Sequence, residues 1–236
     1  MTLSPSNITY LKKATINLIK EGYKEIPMNC IFEKGWNNSH AKIFYDEMKE
    51  IADYLIYNNL YNKINFSLFN ETFFSPMDEL ENDNWCGGTA DEGFAVDYNG
   101  LLYPCLRYMD SSLNHNQKKL NIGSKCSYLT CKEEKDNYKL LSNITRRSQS
   151  TDECFYCPIA FGCSWCSAYN YEEFGTPNKR ATYICCMHKA RALANVYYWN
   201  TLYKYLGINK IFKMHIPKEW ALEIIDEEEY NYLKNL

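Results

Sequence analysis

The sequence has no apolar run long enough to span a bilayer, and its start, Met1 to Pro5, lacks the basic stretch and apolar core of a secretory signal. The first absence argues against a membrane-spanning helix. The second predicts a cytoplasmic protein. Charge of one sign is missing too: 26 Lys and Arg stand against 29 Asp and Glu, a net charge of -3. The basic pairs Arg146-Arg147 and Lys179-Arg180 therefore read as solvated surface, and no nucleic-acid footprint is expected. There is no internal repeat and no low-complexity tract. With 46% hydrophobic and 16% aromatic residues the chain is of globular, not disordered, composition. Its 236 residues suffice for one large domain or two small ones.

Cysteine, by contrast, is abundant, with 11 residues. In the cytoplasm thiols are kept reduced, so metal ligation is the expected use.

The hydrophobic spacing predicts a helix over 7–21 stopped by Gly22, a strand over 26–32, a second amphipathic helix over 39–58 and a strand over 63–69. That order is the rhythm of parallel α/β units. Acidic residues 78–84 read as a linker. Two short strands follow within 94–103 around Asn99-Gly100, a pair suited to a tight hairpin turn. Residues 111–125 read as loop, 132–144 as a charged surface helix, and 154–185 as irregular chain wrapped around whatever its cysteines bind. From Met187 apolar residues recur at helical spacing as far as Gly207. A last helix is expected from Pro217 to Leu233.

The densest chemical signal is Cys154-x2-Cys157-x5-Cys163-x2-Cys166, with Pro158 and Gly162 inside the gap. A Cys-x2-Cys pair lets two sulfurs converge on one metal centre across a tight turn. Cys86 and Cys105 flank the expected hairpin upstream, and Cys185-Cys186 stands at a helix start downstream. Three readings compete. Disulfides suit a cytoplasmic chain poorly. Zinc ribbons usually separate their knuckles by about 15–20 residues, against five here. Iron–sulfur clusters, each taking four thiolates, fit the number and crowding best, and zinc remains open on spacing alone.

These residues resemble a family. Cys86-x13-Gly100-x4-Cys105, then the double pair, then Cys185 look like a SPASM domain, the auxiliary-cluster extension of many radical-SAM enzymes that act on peptides. The family pattern is Cys-x9–15-Gly-x4-Cys, then Cys-x2-Cys-x5-Cys-x3-Cys, then a final Cys. This chain departs from it once, with two residues between Cys163 and Cys166 instead of three. The phrases Pro-Ile-Ala-Phe-Gly-Cys-Ser-Trp-Cys from Pro158 and Ile-Cys-Cys-Met-His-Lys-Ala-Arg from Ile184 are similar to those of cysteine-rich peptide maturases, which resemble enzymes installing sulfur-to-carbon crosslinks. The resemblance covers roughly residues 81–205. Residues 2–75 resemble, more weakly, the last strands and helices of a radical-SAM partial barrel.

The resemblance implies an α/β chain: the C-terminal remnant of a partial TIM-type barrel (1–78), an irregular α+β SPASM domain (79–206) and a C-terminal helical tail (207–236). It implies two auxiliary 4Fe–4S clusters, with Cys86, Cys105 and Cys166 on the first, and Cys154, Cys157, Cys163 and Cys185 on the second. Cys186 is the alternative to Cys185. The first cluster then lacks a fourth protein ligand, and its open iron would suit a substrate thiolate. Asn29 and Glu33, near a strand end, are candidates for the SAM side of the barrel, the plain alternative for Asn29 being a strand-end polar residue.

The family's catalytic Cys-x3-Cys-x2-Cys is absent. SAM cleavage, with SAM and a third 4Fe–4S cluster, is thus expected only together with a separate N-terminal radical-SAM half. This chain reads as a fragment, a split-gene half or a truncated product. The implied partner is a cysteine-rich precursor peptide; the alternative is a non-catalytic peptide-binding module stabilised by zinc or iron–sulfur. Cys30, Cys126 and Cys131 read as buried or free thiols, and His188 as an ordinary helix-start histidine. Arg147 and Arg191 read as surface ion-pairing residues rather than contacts to an acidic leader. Phe155, Phe161, Trp165 and Tyr169 are expected to shield sulfurs, and Tyr197, Tyr198 and Trp199 to form a packing face.

Overall fold

The computed structural model describes every residue except 84, 85, 87, 89–92 and 126. In chain order the elements are β1 (Thr2–Leu3), α1 (Leu11–Lys20), β2 (Glu25–Ile26), β3 (Asn29–Cys30), α2 (Asn38–Tyr57) and β4 (Asn65–Phe66). There follow β5 (Ala95–Val96), β6 (Leu101–Tyr103), β7 (Gly123–Ser124), β8 (Ser127–Tyr128), α3 (Lys132–Ser142), α4 (Arg146–Gln149) and α5 (Asp152–Phe155). The chain ends with α6 (Ser167–Phe174), α7 (Cys185–Leu206), α8 (Lys218–Ala221) and α9 (Glu227–Asn235). It divides into two compact units, 1–77 with 158–163 and 182–236, and 78–157 with 164–181. Helix α7 folds with the first unit.

In the first unit β1 pairs parallel with β3, and β2 parallel with β4. Among the described residues these pairs do not close into a barrel. The expected single strand over 26–32 is interrupted because Pro27 has no N–H to give a ladder. Met28 N–H beyond it is satisfied by Ser67 Oγ at 2.8 Å. Ile26, Met28 and Cys30 alternate with exposed Pro27 and Asn29, so one face of the segment is buried. Helix α2 starts at Asn37, whose side chain accepts from His40 N–H at 3.0 Å. Its Phe44, Met48, Ile51 and Leu55 are buried, and it packs on α7. Each such side chain contributes about 1.5–3 kcal/mol. Helix α7 is buried around most of its circumference and stops where expected, at Gly207 with φ +67°.

The expected helix from 217 to 233 breaks in two. Asp226 caps α9 by accepting Glu229 N–H at 2.8 Å, and Glu227, Glu228 and Glu229 occupy the first turn, where the helix dipole favours negative charge. The break lets Ile224 and Ile225 turn into the core.

In the second unit the order β5-β6-β7-β8 forms an antiparallel sheet. Its first hairpin is not the two-residue turn that Asn99-Gly100 suggests. Only Gly100 has positive φ, +79°, and Asp97 Oδ1 accepts from Asn99 and Leu101 N–H at 2.8 and 2.9 Å. This is a three-residue loop with glycine in the bulge position. Residues 111–125, expected as loop, supply β7, too short to show alternation. Helices α5 and α6 lie in the stretch expected to be irregular. Helix α6 is bounded by Cys166, whose sulfur accepts from Tyr169 N–H at 3.4 Å, and by left-handed Gly175.

Arg146 overturns the reading of its pair as surface. It is buried, with its guanidinium 4.0 Å from the Phe155 ring centre and bonded to the carbonyls of Asp78 (3.0 Å), Glu81 (2.8 Å) and Phe155. Those carbonyls make its burial tolerable. Arg147 stays exposed and pairs with Asp152 at 2.6 Å, as expected.

Candidate metal centre

The centre of the second unit gathers three of the sequence-nominated cysteines. Cys86 precedes β5; Cys105 follows β6 and opens a 3-10 turn, Leu106–Tyr108; Cys166 caps α6. All three are half-buried. Cys105 lies in the field of Cys86, and Cys166 in the field of both Cys86 and Cys105. Burial, first, and then the neighbouring thiols push the Cys166 pKa up to about 11, partly offset by Tyr169 N–H and Arg107. Cys105 is raised as well, chiefly by burial, while the backbone N–H groups of Arg107 and Tyr108 pull it back. Cys105 and Cys166 pack against the core of Leu102, Tyr103, Ile122 and Ala168, beside Trp165.

Around these sulfurs lie groups that sequence reasoning missed. Ser167 is buried, with Oγ 3.3 Å from Cys86 Sγ. A Cβ on Gly88 would stand 3.1 Å from Cys105 Sγ and 3.5 Å from Ser167 Oγ, so only glycine leaves the thiol uncrowded. Tyr108 is fully buried, and its hydroxyl has no hydrogen-bond partner. Ser167 is near enough to draw its pKa down somewhat without completing a bond; burial, foremost, and all three thiols hold that pKa well above the ordinary value. Position directly after Cys166 was the one available signal for Ser167. For Tyr108 there was none.

Among the described residues, no three His, Cys, Asp or Glu side chains are disposed to hold a single metal ion. A mononuclear thiolate site, with metal–sulfur bonds of about 2.3 Å, requires its sulfurs within about 4 Å of one another. A polynuclear cluster places each thiolate on a different iron and so spreads its ligands more widely. Cys86, Cys105 and Cys166, with N–H and O–H donors around them, are the residues here that could ligate such a group.

No protein-family model matches the chain, and no curated protein is significantly similar to it.

The second implied ligand set is divided: Cys154 and Cys157 belong to the second unit, Cys163 and Cys185 to the first. Cys154 accepts from Arg180 Nη1 at 3.3 Å. Burial and then Arg180 lower the Arg146 pKa, and Cys154 offsets this. Cys163 follows Gly162, which has φ +81° and where a Cβ would collide with the Phe73 ring. Cys185 is exposed, while Cys186 is half-buried and raised in pKa by burial.

Cys30 is buried, as expected, and desolvation takes it to about 12 against the opposing field of Arg191. Arg191 is not the surface residue anticipated. It bonds the Ser67 and Leu68 carbonyls at 2.7 and 2.9 Å, sits over Phe73 and Phe74, and is depressed to about 10 by burial despite Cys30 and Cys163 nearby. Cys131 is exposed and caps α3, accepting from Glu134 N–H at 3.5 Å. Cys126 lies outside the described residues. Asn29 and Glu33 are exposed, Asn29 within β3. His188 is buried near the start of α7. Of the expected shielding aromatics, Phe155 and Tyr169 are buried, and Phe161 and Trp165 half-buried. Tyr197 and Tyr198 are buried and Trp199 less so, with Tyr198 stacked on Phe69 at 4.1 Å. No described helix is long and apolar enough to cross a membrane.

Proposed function

We propose that this chain is the iron–sulfur-binding C-terminal part of a radical-SAM peptide maturase of the SPASM type, acting on a cysteine-rich precursor peptide in the cytoplasm together with the part that carries the SAM-cleaving cluster. The supporting observation is that Cys86 Sγ lies 3.3 Å from Ser167, the residue after Cys166, while Cys105 and Cys166 pack on the same core; these are the three cysteines that the family resemblance groups on one cluster. When bound, such a cluster supplies an electron relay or an anchor for a substrate thiolate. The chain's own residues hold and tune it. Cys105 receives backbone N–H donors, Cys166 receives Tyr169 N–H, and the surrounding aromatic core keeps water away. With three protein thiolates, one position stays open for the peptide's cysteine.

The absence of Cys-x3-Cys-x2-Cys favours a second reading, a metal-stabilised module that binds a peptide without chemistry. Anaerobic purification separates iron from zinc. The proposal expects brown protein with broad absorption at about 400 nm, perturbed when a cysteine peptide is added. Colourless, zinc-loaded protein would leave only the second reading.

A further inference from the structure

A buried hydroxyl with nothing to bond is costly enough that native interiors rarely keep one. Tyr108 keeps one at the most chemically loaded place in the second unit. Its ring is 0% exposed and packed in the core beside Tyr171, a position that phenylalanine would fill equally well. The N–H of Tyr169 serves Cys166, the N–H groups of Arg107 and Tyr108 serve Cys105, and Ser167 Oγ and Cys86 Sγ, 3.3 Å apart, face each other. The Tyr108 hydroxyl, with Ser167 nearby but no completed bond, is left over in the field of all three thiols.

We propose that the Tyr108 hydroxyl is a positioning donor for the occupant of this site, hydrogen-bonded to a sulfur of the anionic group that Cys86, Cys105 and Cys166 hold. The inference rests on the iron–sulfur reading above and adds to it a residue that no cysteine pattern specifies. A neutral donor beside a cluster favours its more negative, reduced state.

The test compares full-length wild type with Tyr108→Phe, each metal-free and after anaerobic reconstitution with iron and sulfide. In the metal-free protein the substitution removes an unsatisfied group, so the urea midpoint should stay or rise. In the loaded protein, potentiometry followed by electron paramagnetic resonance should show the reduction equilibrium moved about tenfold toward the oxidised form, about 59 mV for a one-electron couple. An unchanged potential in iron-loaded Tyr108→Phe overturns the proposal while leaving the cluster reading intact. So does a metal-free variant that unfolds, because the hydroxyl would then have a partner within the protein. A wild type that takes up no iron overturns the cluster reading and this proposal with it.

Discussion

In the metal-free protein Cys166 should resist alkylation to an unusual degree. An ordinary thiol titrates at 9.0, and Cys166 at about 11. At pH 8 its thiolate fraction is therefore about a hundredfold below that of an ordinary thiol, a difference of about 2.7 kcal/mol. The dominant cause is burial, so substituting Cys86 and Cys105 by alanine should recover only part of it. The linkage to stability has a definite sign. A thiol whose folded pKa is raised contributes its full share below pH 9; that share is lost as the pH rises through 11. A pulse of iodoacetamide on reduced, anaerobic protein between pH 7 and 11, read peptide by peptide by mass spectrometry, measures the titration, with exposed Cys131 as internal reference. Labelling of Cys166 should rise about tenfold per pH unit up to its pKa, and iron loading should abolish it. Labelling at pH 8 as fast as that of Cys131 would refute the reasoning.

Gly162→Ala forces a side chain into φ +81° and puts Cβ 2.2 Å from the Phe73 ring. It should cost about 2–5 kcal/mol by urea unfolding, whereas Gly22→Ala, at φ +91° with nothing within 4 Å, should cost about 1 kcal/mol. Asn200 holds both Phe212 N–H (2.7 Å) and Phe212 C=O (3.1 Å); Asn200→Leu should lose about 3 kcal/mol and speed amide exchange at Phe212. Because Cys105 and Cys166 hold their protons above the ordinary value, cluster assembly releases protons, and iron uptake should strengthen from pH 7 to 9. Uptake independent of pH would contradict that.

The amphipathic helices and their glycine stops were legible because 3.6-residue periodicity and a left-handed cap are local signals, as at Phe44, Met48 and Gly207. The strand break at Pro27 and the cap at Asp226 were legible in principle: one residue lacks an N–H, the other is an acceptor before three glutamates. Burial of Arg146 and Arg191 was not, since a guanidinium enters a core only where distant carbonyls gather to receive it. At the candidate site the cysteines announced themselves by type and spacing. Ser167, Gly88 and Tyr108 did not, because what distinguishes them is a neighbour brought in by folding.

The most direct measurement is iron and sulfide content with Mössbauer spectroscopy on anaerobically reconstituted wild type and a Cys86→Ala, Cys105→Ala, Cys166→Ala triple variant. The variant should lose one complete 4Fe–4S cluster's worth of iron relative to wild type while remaining folded. Wild type without stoichiometric iron, or a variant that retains all of it, would contradict the claim that these three thiols hold a cluster.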